Sequence, residues 1–262
     1  MPGIPFLNII CLNTWAGMVG MDRFLPFFAK YQGADVFCLQ EVWHADGHEL
    51  PTAAAGKDIT AAEPKLLERL RTALPGHVGI YTPQCSPYGY FGLALFYRKG
   101  LSLLAFEERC VYREPGYVSP VDIADHARVM HIATLGTGQG PVAILNVHGA
   151  WQPGGKGDTP ERLEQSRRIV AAGAGSPHPS ILCGDFNLLP ETQSIRSLEE
   201  AGWENLVRTH GIASTRTPLY GKAERFADYV FVKNGVRVRR FEVLPDVVSD
   251  HAALSLECSF GG

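Results

Sequence analysis

The sequence has little of several features that would place it in a specialised class. Its six cysteines include no Cys-x-x-Cys pair, which disfavours both a disulfide framework and a cysteine-based zinc site. No apolar run approaches the roughly 20 residues that a membrane-spanning helix needs. The formal net charge of −3 gives the chain no global positive field to attract nucleic acid. Nucleic-acid binding would therefore require a local basic patch.

What is present is the composition of an ordinary globular domain. The 262 residues are 45% hydrophobic and 19% charged, and no repeat or linker divides them, so one domain over residues 1–262 is predicted. Residues 1–12 are apolar but short and lack a basic leader, which indicates a first strand and not a signal peptide. Cys11, Cys38 and Cys183 lie in apolar runs, as small buried hydrophobes do. We therefore expect a reduced, cytoplasmic monomer.

Hydrophobic periodicity predicts many strands and a few interspersed helices. Helical spacing and capping residues predict helices at 21–31, 63–74 and 193–201, and one that begins at Asp158-Thr159-Pro160. Residues 44–61 have no clear period and are predicted to form a loop. Strands are predicted at residues 6–15, 35–42, 78–81, 92–97, 101–109, 128–135, 141–147, 180–185, 226–232, 236–244 and 252–258. This order favours packed sheets covered by helices, in an α/β or α+β layered domain.

The central motif is an apolar strand that ends in polar residues, over residues 181–187. Because side chains alternate between the faces of a strand, Asp185 and Asn187 are predicted to point the same way, with Phe186 in the core. A carboxylate beside a carboxamide can hold a water, a metal ion or a phosphate. The same residues also suit an ordinary turn, in which Asp185 is a cap and Asn187 takes the left-handed conformation.

Other strands end or begin in the same kinds of residue. Each such residue alone has a structural explanation, as a turn cap, a solvated strand end or a hydrogen-bonded histidine. Their recurrence at strand ends is typical of sites on layered α/β folds. The residues concerned are Asn13, Gln40, Glu41, Asn146, His148, Asp228, Ser249, Asp250 and His251.

In this order, the motifs resemble the endonuclease/exonuclease/phosphatase superfamily, from about residue 8 to residue 258. The resemblance implies a four-layered α/β/β/α sandwich, with two packed mixed β-sheets flanked by helices, and metal-dependent phosphoester hydrolysis. Arg162 and Gln165 also match the family's helix after the histidine strand. The matching motifs are Leu12-Asn13-Thr14-Trp15, Leu39-Gln40-Glu41-Val42, Asn146-Val147-His148, Gly184-Asp185-Phe186-Asn187, Asp228-Tyr229-Val230-Phe231 and Ser249-Asp250-His251.

The resemblance also implies roles for these residues. Mg²⁺ or Mn²⁺, which prefer oxygen ligands, would be held by Glu41, Asn13 and Asp250. The implied catalytic residues are His148, Asp185, Asn187, Asp228 and His251. Asp185 positions or deprotonates the attacking water, and Asn187 holds that water and a phosphate oxygen. Asp228 orients His251 against the phosphate or the water, while His148 faces the phosphate or protonates the leaving oxygen. Whether Asp185 or His251 is the base stays open.

The substrate is less constrained than the chemistry. A phosphodiester is favoured; the alternatives are a nuclease or DNA-repair enzyme, and a sphingomyelinase-like lipid head-group phosphodiesterase or small-metabolite phosphatase. Abasic-site enzymes are expected to carry further acidic and basic residues after the Gly-Asp-x-Asn motif, whereas Leu188-Leu189-Pro190-Glu191-Thr192 follows it here. A catalytically inactive binding module is disfavoured because the polar set is intact.

Two further features have both a functional and a structural explanation. Trp151 opens the Gly-rich loop at 152–157, and it either stacks on a substrate or anchors the loop. The basic residues Lys156, Arg162, Arg167 and Arg168 are interpreted mainly as a charged helix face.

Overall fold

The computed structural model describes residues 6–45, 52–54, 57–84, 91–117, 119 and 125–261. Its strands are β1 (Leu7–Asn13), β2 (Val36–Trp43), β3 (Ala53–Ala54), β4 (Lys57–Asp58), β5 (His77–Gln84), β6 (Phe91–Arg98), β7 (Ser102–Tyr112), β8 (Arg128–Thr137), β9 (Gly140–His148), β10 (Ser180–Asp185), β11 (Glu204–Asn205), β12 (Asp228–Lys233), β13 (Arg237–Val243) and β14 (Leu254–Ser259). Its α-helices are α1 (Met21–Lys30), α2 (Leu66–Ala73), α3 (Pro160–Ala174), α4 (Gln193–Glu200) and α5 (Leu206–Thr209).

Two six-stranded sheets form the centre of the described structure. The first sheet has the order β13-β14-β1-β2-β6-β5, and the second has the order β11-β12-β10-β9-β8-β7. In each sheet the central pair is parallel, β1 with β2 and β10 with β9, and the pairs on either side are antiparallel. The carboxyl ends of a parallel pair lie at the same edge of the sheet. The polar residues that follow these strands are therefore brought together.

Side-chain alternation along β1 shows how the layers are built. Ile9 and Cys11 pack into the core between the two sheets, whereas Ile10 and Leu12 pack with the buried faces of α1 and α2. On the other side, Ile169 of α3 and Ile195 of α4 belong to the core cluster that contains the second sheet. The order of layers is helix, sheet, sheet, helix, so the predicted four-layered sandwich is confirmed.

The predicted strands and helices are all present, with ends shifted by a few residues. The start of α3 differs in detail, because Thr159 caps the helix by accepting a hydrogen bond from the Arg162 amide. Asp158 instead accepts hydrogen bonds from the amides of Gln193 (2.7 Å) and Ser194 (2.9 Å), which ties this turn to the start of α4. The short elements β11 and α5 were not predicted.

Some sequence predictions fall partly outside the described residues. In the predicted loop over residues 44–61, β3 and β4 form a small antiparallel pair, and residues 46–51 and 55–56 are not among those described. Residues 1–5 also lie outside. Cys11, Cys38 and Cys183 are buried free thiols, as expected of small core residues. Among the described helices, none combines the length and the apolar character that crossing a membrane would require.

Candidate active site

The polar residues at the ends of the two parallel strand pairs meet where the sheets face each other. Asn13 follows Cys11 on the inner face of β1, and Asp185 follows Cys183 on the inner face of β10. The Asn13 side-chain amide donates to Asp185 Oδ2 (2.9 Å) and to Glu41 Oε1 (3.1 Å). One carboxamide thus joins carboxylates from both sheets.

Glu41 reaches this site because β2 is irregular. Its pairing with β6 shifts register between Leu39 and Val42, and Glu41 has a φ of 55°. Regular alternation would turn Glu41 toward the helices, since Cys38 packs between the sheets and Leu39 packs on the helix side. A bulge of this kind re-aims a side chain and is frequent beside active sites. The irregularity therefore brings Glu41 to the inner edge.

In the segment after β10, Asp185 and Asn187 form the turn that the sequence suggested, and they also lie at the candidate site. The strand ends at Asp185, whose Oδ1 accepts a hydrogen bond from the Asn187 amide (2.8 Å), and Asn187 has a φ of 54°. Asn187 is therefore placed by a left-handed turn and not by strand alternation, whereas Phe186 is buried as predicted. Gly184 has a φ of 146°, and a Cβ there would lie 1.9 Å from the Val147 carbonyl oxygen.

The two histidines approach Asp185 with different second partners. His251 Nδ1 lies 2.8 Å from Asp228 Oδ2, and its Nε2 lies 3.6 Å from Asp185 Oδ2. His148 Nε2 lies 3.8 Å from both Asp185 Oδ2 and Glu41 Oε1. Arg128 Nη1 lies 3.2 Å from His148 Nδ1, and a guanidinium has only donors, so that nitrogen accepts. The proton of neutral His148 is consequently on Nε2, facing the carboxylates.

Glu41, His148, Asp185, Asn187 and His251 line a cavity of about 180 Å³, whereas Asn13 and Asp228 are buried and are not among its lining residues. Asp185 and His251 were expected at a solvent-open edge, but their side chains are only 2% and 5% exposed because loops and aromatic residues surround them. Glu41, at 24%, is more accessible. The cavity is lined by Trp15, Ala16, Met18, Glu41, Trp43, Asp58, Ile59, Phe91, His126, Arg128, His148, Trp151, Lys156, Asp185, Asn187, Arg216, Tyr220, Lys222, Asp250 and His251.

Three buried cations at the cavity were missed as site residues, and each contacts a member of the predicted polar set. Arg128 contacts His148, as described above; Lys156 Nζ lies 3.3 Å from Asn187 Oδ1, and Arg216 Nη1 lies 3.4 Å from Asp250 Oδ2. The interpretation of Lys156 as part of a charged helix face was wrong, because the loop at 152–157 turns it inward. Its position in a Gly-rich loop just after the His148 strand was the available signal. Arg216 carried no such signal.

The other basic residues near Lys156 in the sequence differ in how exposed they are. Arg162 is buried and holds the Gly-rich loop, whereas the side chain of Arg167 is 71% exposed. Gln165 is also buried, and its Oε1 accepts a hydrogen bond from the Ala150 amide (2.8 Å). Arg162 and Gln165 therefore support the loop that carries Trp151 and do not line the cavity themselves. Trp151 does line it.

The two central carboxylates have opposite electrostatic environments. Burial and the neighbouring Asp250 carboxylate raise the pKa of Glu41 to about 7. Burial also acts to raise the pKa of Asp185, but His251, Lys156 and His148 outweigh it and hold that pKa below its ordinary value. Burial lowers the pKa of both histidines and favours their neutral forms, so Lys156 and Arg216 are the cations that act on Asp185, whereas the Asp250 and Asp185 carboxylates add negative charge around Glu41.

The donor set fits a hard divalent cation. Glu41, His148 and Asp185 offer ligand atoms within 4.8 Å of one another, and so do Asp185, Asp228 and His251. Asp250 Oδ1 is buried and has no hydrogen-bond partner among the described residues. Carboxylate oxygens in excess of cations are what Mg²⁺ and Mn²⁺ bind. The Asn13 oxygen accepts from the Trp15 amide (2.9 Å), so its NH₂ group, not its oxygen, faces the carboxylates.

Left-handed backbone is concentrated at this cavity. Six non-glycine residues in the described chain have positive φ, and four of them, Trp15, Ala16, Glu41 and Asn187, line it. Such conformations cost about 1–3 kcal/mol each and persist only where the surrounding structure enforces them. The strain therefore coincides with the residues that the sequence motifs single out.

Comparisons with known proteins agree with this geometry. Three solved structures share the fold: a family protein from Leptotrichia buccalis (TM-score 0.73, 17% identity, 97% of this chain and 100% of that one), a mannosyl-6-phosphatase from Bacteroides thetaiotaomicron (0.71, 19%, 97% and 100%) and the human nocturnin catalytic domain with bound sulfate (0.61, 21%, 98% and 95%). No curated protein matches the sequence significantly. The sequence profile of the Endonuclease/Exonuclease/phosphatase family matches residues 12–251, and the chain belongs to that family.

Proposed function

We propose that this protein is a divalent-metal-dependent hydrolase that cleaves phosphodiesters by in-line attack of an activated water. Members of its family are hydrolytic phosphoesterases. The observation that carries the proposal is the convergence on one cavity of Glu41, His148, Asp185 and His251, the last of which is hydrogen-bonded to Asp228. Phosphodiesters resist attack because they are anionic, so a site with a metal position and two histidines suits them.

Glu41 is the proposed centre of the metal site, with Asp250 as the second carboxylate. When bound, Mg²⁺ or Mn²⁺ would neutralise charge on the phosphate and act as a Lewis acid. We assign Asn13 a different role from the one expected of it. Because its NH₂ group holds Glu41 and Asp185, Asn13 positions these carboxylates instead of contributing a ligand oxygen.

The two histidines suit opposite hydrogen-bonding roles. Asp228 accepts the Nδ1 proton of His251, which leaves Nε2 as an acceptor directed toward Asp185. A water between Asp185 Oδ2 and His251 Nε2 can donate to both, and Asn187 lies beside it. His148 carries its proton on Nε2 because Arg128 occupies Nδ1. Neutral His148 is therefore proposed to stabilise the leaving oxygen by donating a hydrogen bond from Nε2, on the other side of Asp185.

The shape of the site favours a small phosphoester over a long nucleic acid. The catalytic residues lie in a cavity of about 180 Å³ whose walls include Trp15, Trp151 and Tyr220. With a net charge of −3, the chain has no overall positive field for a polymer. A lipid head group or small metabolite is thus the preferred substrate class. A nuclease or repair-type activity is the alternative, which the family permits.

The test is hydrolysis of a panel in Mg²⁺, in Mn²⁺ and in EDTA. The panel contains bis-p-nitrophenyl phosphate, p-nitrophenyl phosphate, plasmid DNA, abasic DNA, sphingomyelin and an inositol phosphate. We expect EDTA-sensitive turnover of bis-p-nitrophenyl phosphate that Glu41→Ala loses. Preference for either DNA substrate, with strong salt dependence, would select the nuclease alternative. A protein that binds neither metal would refute the proposed function.

A further inference from the structure

Two buried cations flank the candidate site without belonging to the motifs that identify the family. Lys156 is 7% exposed, and the Arg216 side chain is 6% exposed. Lys156 lies in the Gly-rich loop after β9, and Arg216 lies in the long connection between α5 and β12. Each makes its hydrogen bond to a residue of the site, Asn187 or Asp250. The cations therefore stand directly beside the predicted catalytic residues.

The position of Lys156 is built by its neighbours. Arg162 Nη1 donates to the carbonyl oxygens of Gly155 (2.8 Å) and Gly157 (2.7 Å), on either side of Lys156. The Leu189 amide donates to the Lys156 carbonyl oxygen (3.0 Å). Without these bonds, the flexible backbone of a Gly-rich loop would allow the Lys156 side chain to point in many directions. These bonds fix the backbone from both sides and keep Lys156 turned into the cavity.

Arg216 is held just as closely to the last motif of the chain. It forms an antiparallel bridge with His251, and the next amide, that of Thr217, donates to the Asp250 carbonyl oxygen (3.1 Å). The Tyr220 ring lies 4.0 Å from Arg216 Cζ and 5.8 Å from Lys156 Nζ. The Tyr220 ring therefore packs against the Arg216 guanidinium and lies near the Lys156 ammonium. We name Lys156, Arg216 and Tyr220 the cation wall.

The cation wall has more donors than acceptors. Arg216 Nε is buried and has no hydrogen-bond partner among the described residues, and its Nη1 contact with Asp250 is long at 3.4 Å. An ammonium has three donors, and Lys156 donates a hydrogen bond to Asn187. Burial lowers the pKa of Lys156 to about 8. Buried cations with unfilled donors are costly unless an anion completes them.

We propose that Lys156 and Arg216 bind the non-bridging oxygens of the substrate's scissile phosphate. This inference rests on the proposed function, since it concerns the same cavity. A tetrahedral phosphate offers several oxygens. A phosphate that contacts both cations would lie next to Asn187, Asp185 and His251. The two cations break no bond; they stabilise the negative charge that increases on these oxygens during attack. Tyr220 is a positioning residue that orients both cations.

The first test measures phosphate binding without relying on turnover. Inorganic phosphate is titrated calorimetrically into the Mg²⁺-supplemented wild type, Lys156→Met and Arg216→Gln. We expect each variant to bind about 10- to 100-fold more weakly, as for loss of a hydrogen bond to a charged group. Lys99→Met and Arg225→Gln are matched controls, because both residues are exposed, and they should bind as the wild type does. Equal binding by all five proteins would overturn the inference.

The second test separates the cation wall from the proposed function. On the best substrate of the panel, kcat/KM should fall about 10- to 100-fold in each variant and recover partly in Lys156→Arg and Arg216→Lys. Thermal melts establish that each variant is folded. Turnover with unchanged kcat/KM in Lys156→Met and Arg216→Gln would refute the cation wall and leave the hydrolase intact. If phosphate binding depends on Lys156 and Arg216 but no substrate is turned over, the proposed hydrolase function would be refuted and the cation wall would stand.

Discussion

The two sheets have the same strand pattern, and the site is made where equivalent positions meet. In the orders β14-β1-β2 and β12-β10-β9, β1 corresponds to β10, β2 to β9 and β14 to β12. Asn13 ends β1 and bonds Asp185, which ends β10. Glu41 of β2 faces His148 of β9, and His251, just before β14, bonds Asp228 at the start of β12. These three contacts across the site therefore join corresponding places in the two sheets.

The difference between the sheets lies in how their carboxylates are compensated. Asp185, from the second sheet, faces His251, Lys156 and His148, and its pKa is held low. Glu41, from the first sheet, faces Asp250 and Asp185 and has a pKa raised to about 7. A carboxylate that the protein already neutralises can orient hydrogen bonds. One whose pKa stays raised despite a nearby cation, as that of Glu41 does beside Arg128, is suited to bind an added cation. The comparison therefore favours the proposed metal position on the first-sheet side.

The largest effect is expected at the second-sheet carboxylate. Asp185→Asn should lower kcat by about 10⁴-fold, because it removes the acceptor that orients the water. It should also cost about 1–3 kcal/mol of stability, since the Asn13 amide loses a charged partner in a buried place. Asp158→Asn is the control, because Asp158 also accepts a backbone amide hydrogen bond but does not line the cavity. Steady-state kinetics and urea unfolding measure both. Retained activity in Asp185→Asn would remove Asp185 from the mechanism.

The next effect is at the first-sheet carboxylate. Glu41→Gln should lower kcat/KM by about 10³-fold, because loss of a ligand charge weakens the metal site. Calorimetry should show weaker Mn²⁺ binding by this variant, whereas Asp185→Asn, which leaves Glu41 in place, should lose less. If Asp185→Asn lost metal binding and Glu41→Gln did not, the roles of the two sheets would be reversed.

Glu41 also predicts how stability depends on pH. Its folded pKa, about 7, lies above the ordinary value of 4.5, so the folded state holds this proton more tightly than the unfolded state does. The metal-free wild type should lose stability as pH rises from about 4.5 to 7, by about 2 kcal/mol after allowance for partial exposure. Glu41→Gln should lack this loss. Urea unfolding in EDTA at pH 5 and pH 8 measures the difference, and parallel curves for both proteins would contradict it.

Sequence patterns predicted the parts of the site that local periodicity determines. Asn13 and Asp185 end strands whose alternation is visible in the chain, so their meeting followed from the fold. Glu41 was predicted to be in the site, but its direction depends on a bulge that the sequence does not show. Arg216 could not be predicted, because its position depends on a bridge with His251, which is far away in the chain. The flanking glycines and the preceding His148 strand were a signal that Lys156 could be a site residue.

A smaller effect is expected for the pair that orients His251. Asp228→Asn should lower kcat by about 10- to 100-fold with little change in KM, because the residue acts through the imidazole and not on the substrate. Metal binding should be unchanged, unlike in Glu41→Gln. Asp246→Asn, at a carboxylate that pairs with Lys30, is the control and should be as active as the wild type. A lost metal site in Asp228→Asn would show that this aspartate is a ligand.

The smallest effect is expected one layer below the site, where the sheets are also joined by corresponding strands. Gln40 of β2 donates to Asn146 Oδ1 of β9 (2.7 Å), and the Asn146 amide donates to the Ala94 carbonyl oxygen (3.1 Å). Both residues stand among the polar strand ends of the sequence, yet neither lines the cavity. Asn146→Leu should cost about 1–3 kcal/mol of stability, because it leaves buried polar groups unpaired.

The activity of Asn146→Leu should nevertheless stay within about threefold of the wild type below the melting temperature. The substitution changes packing one layer below the site and leaves the reacting groups in place. The double variant Gln40→Leu/Asn146→Leu should recover part of the lost stability, since replacing both partners of a buried hydrogen bond removes the unpaired group as well. If Asn146→Leu instead lost activity about 100-fold with unchanged stability, the chemistry would extend below Asn13 and Asp185. The contact between the sheets at that level would then belong to the site and not to its support.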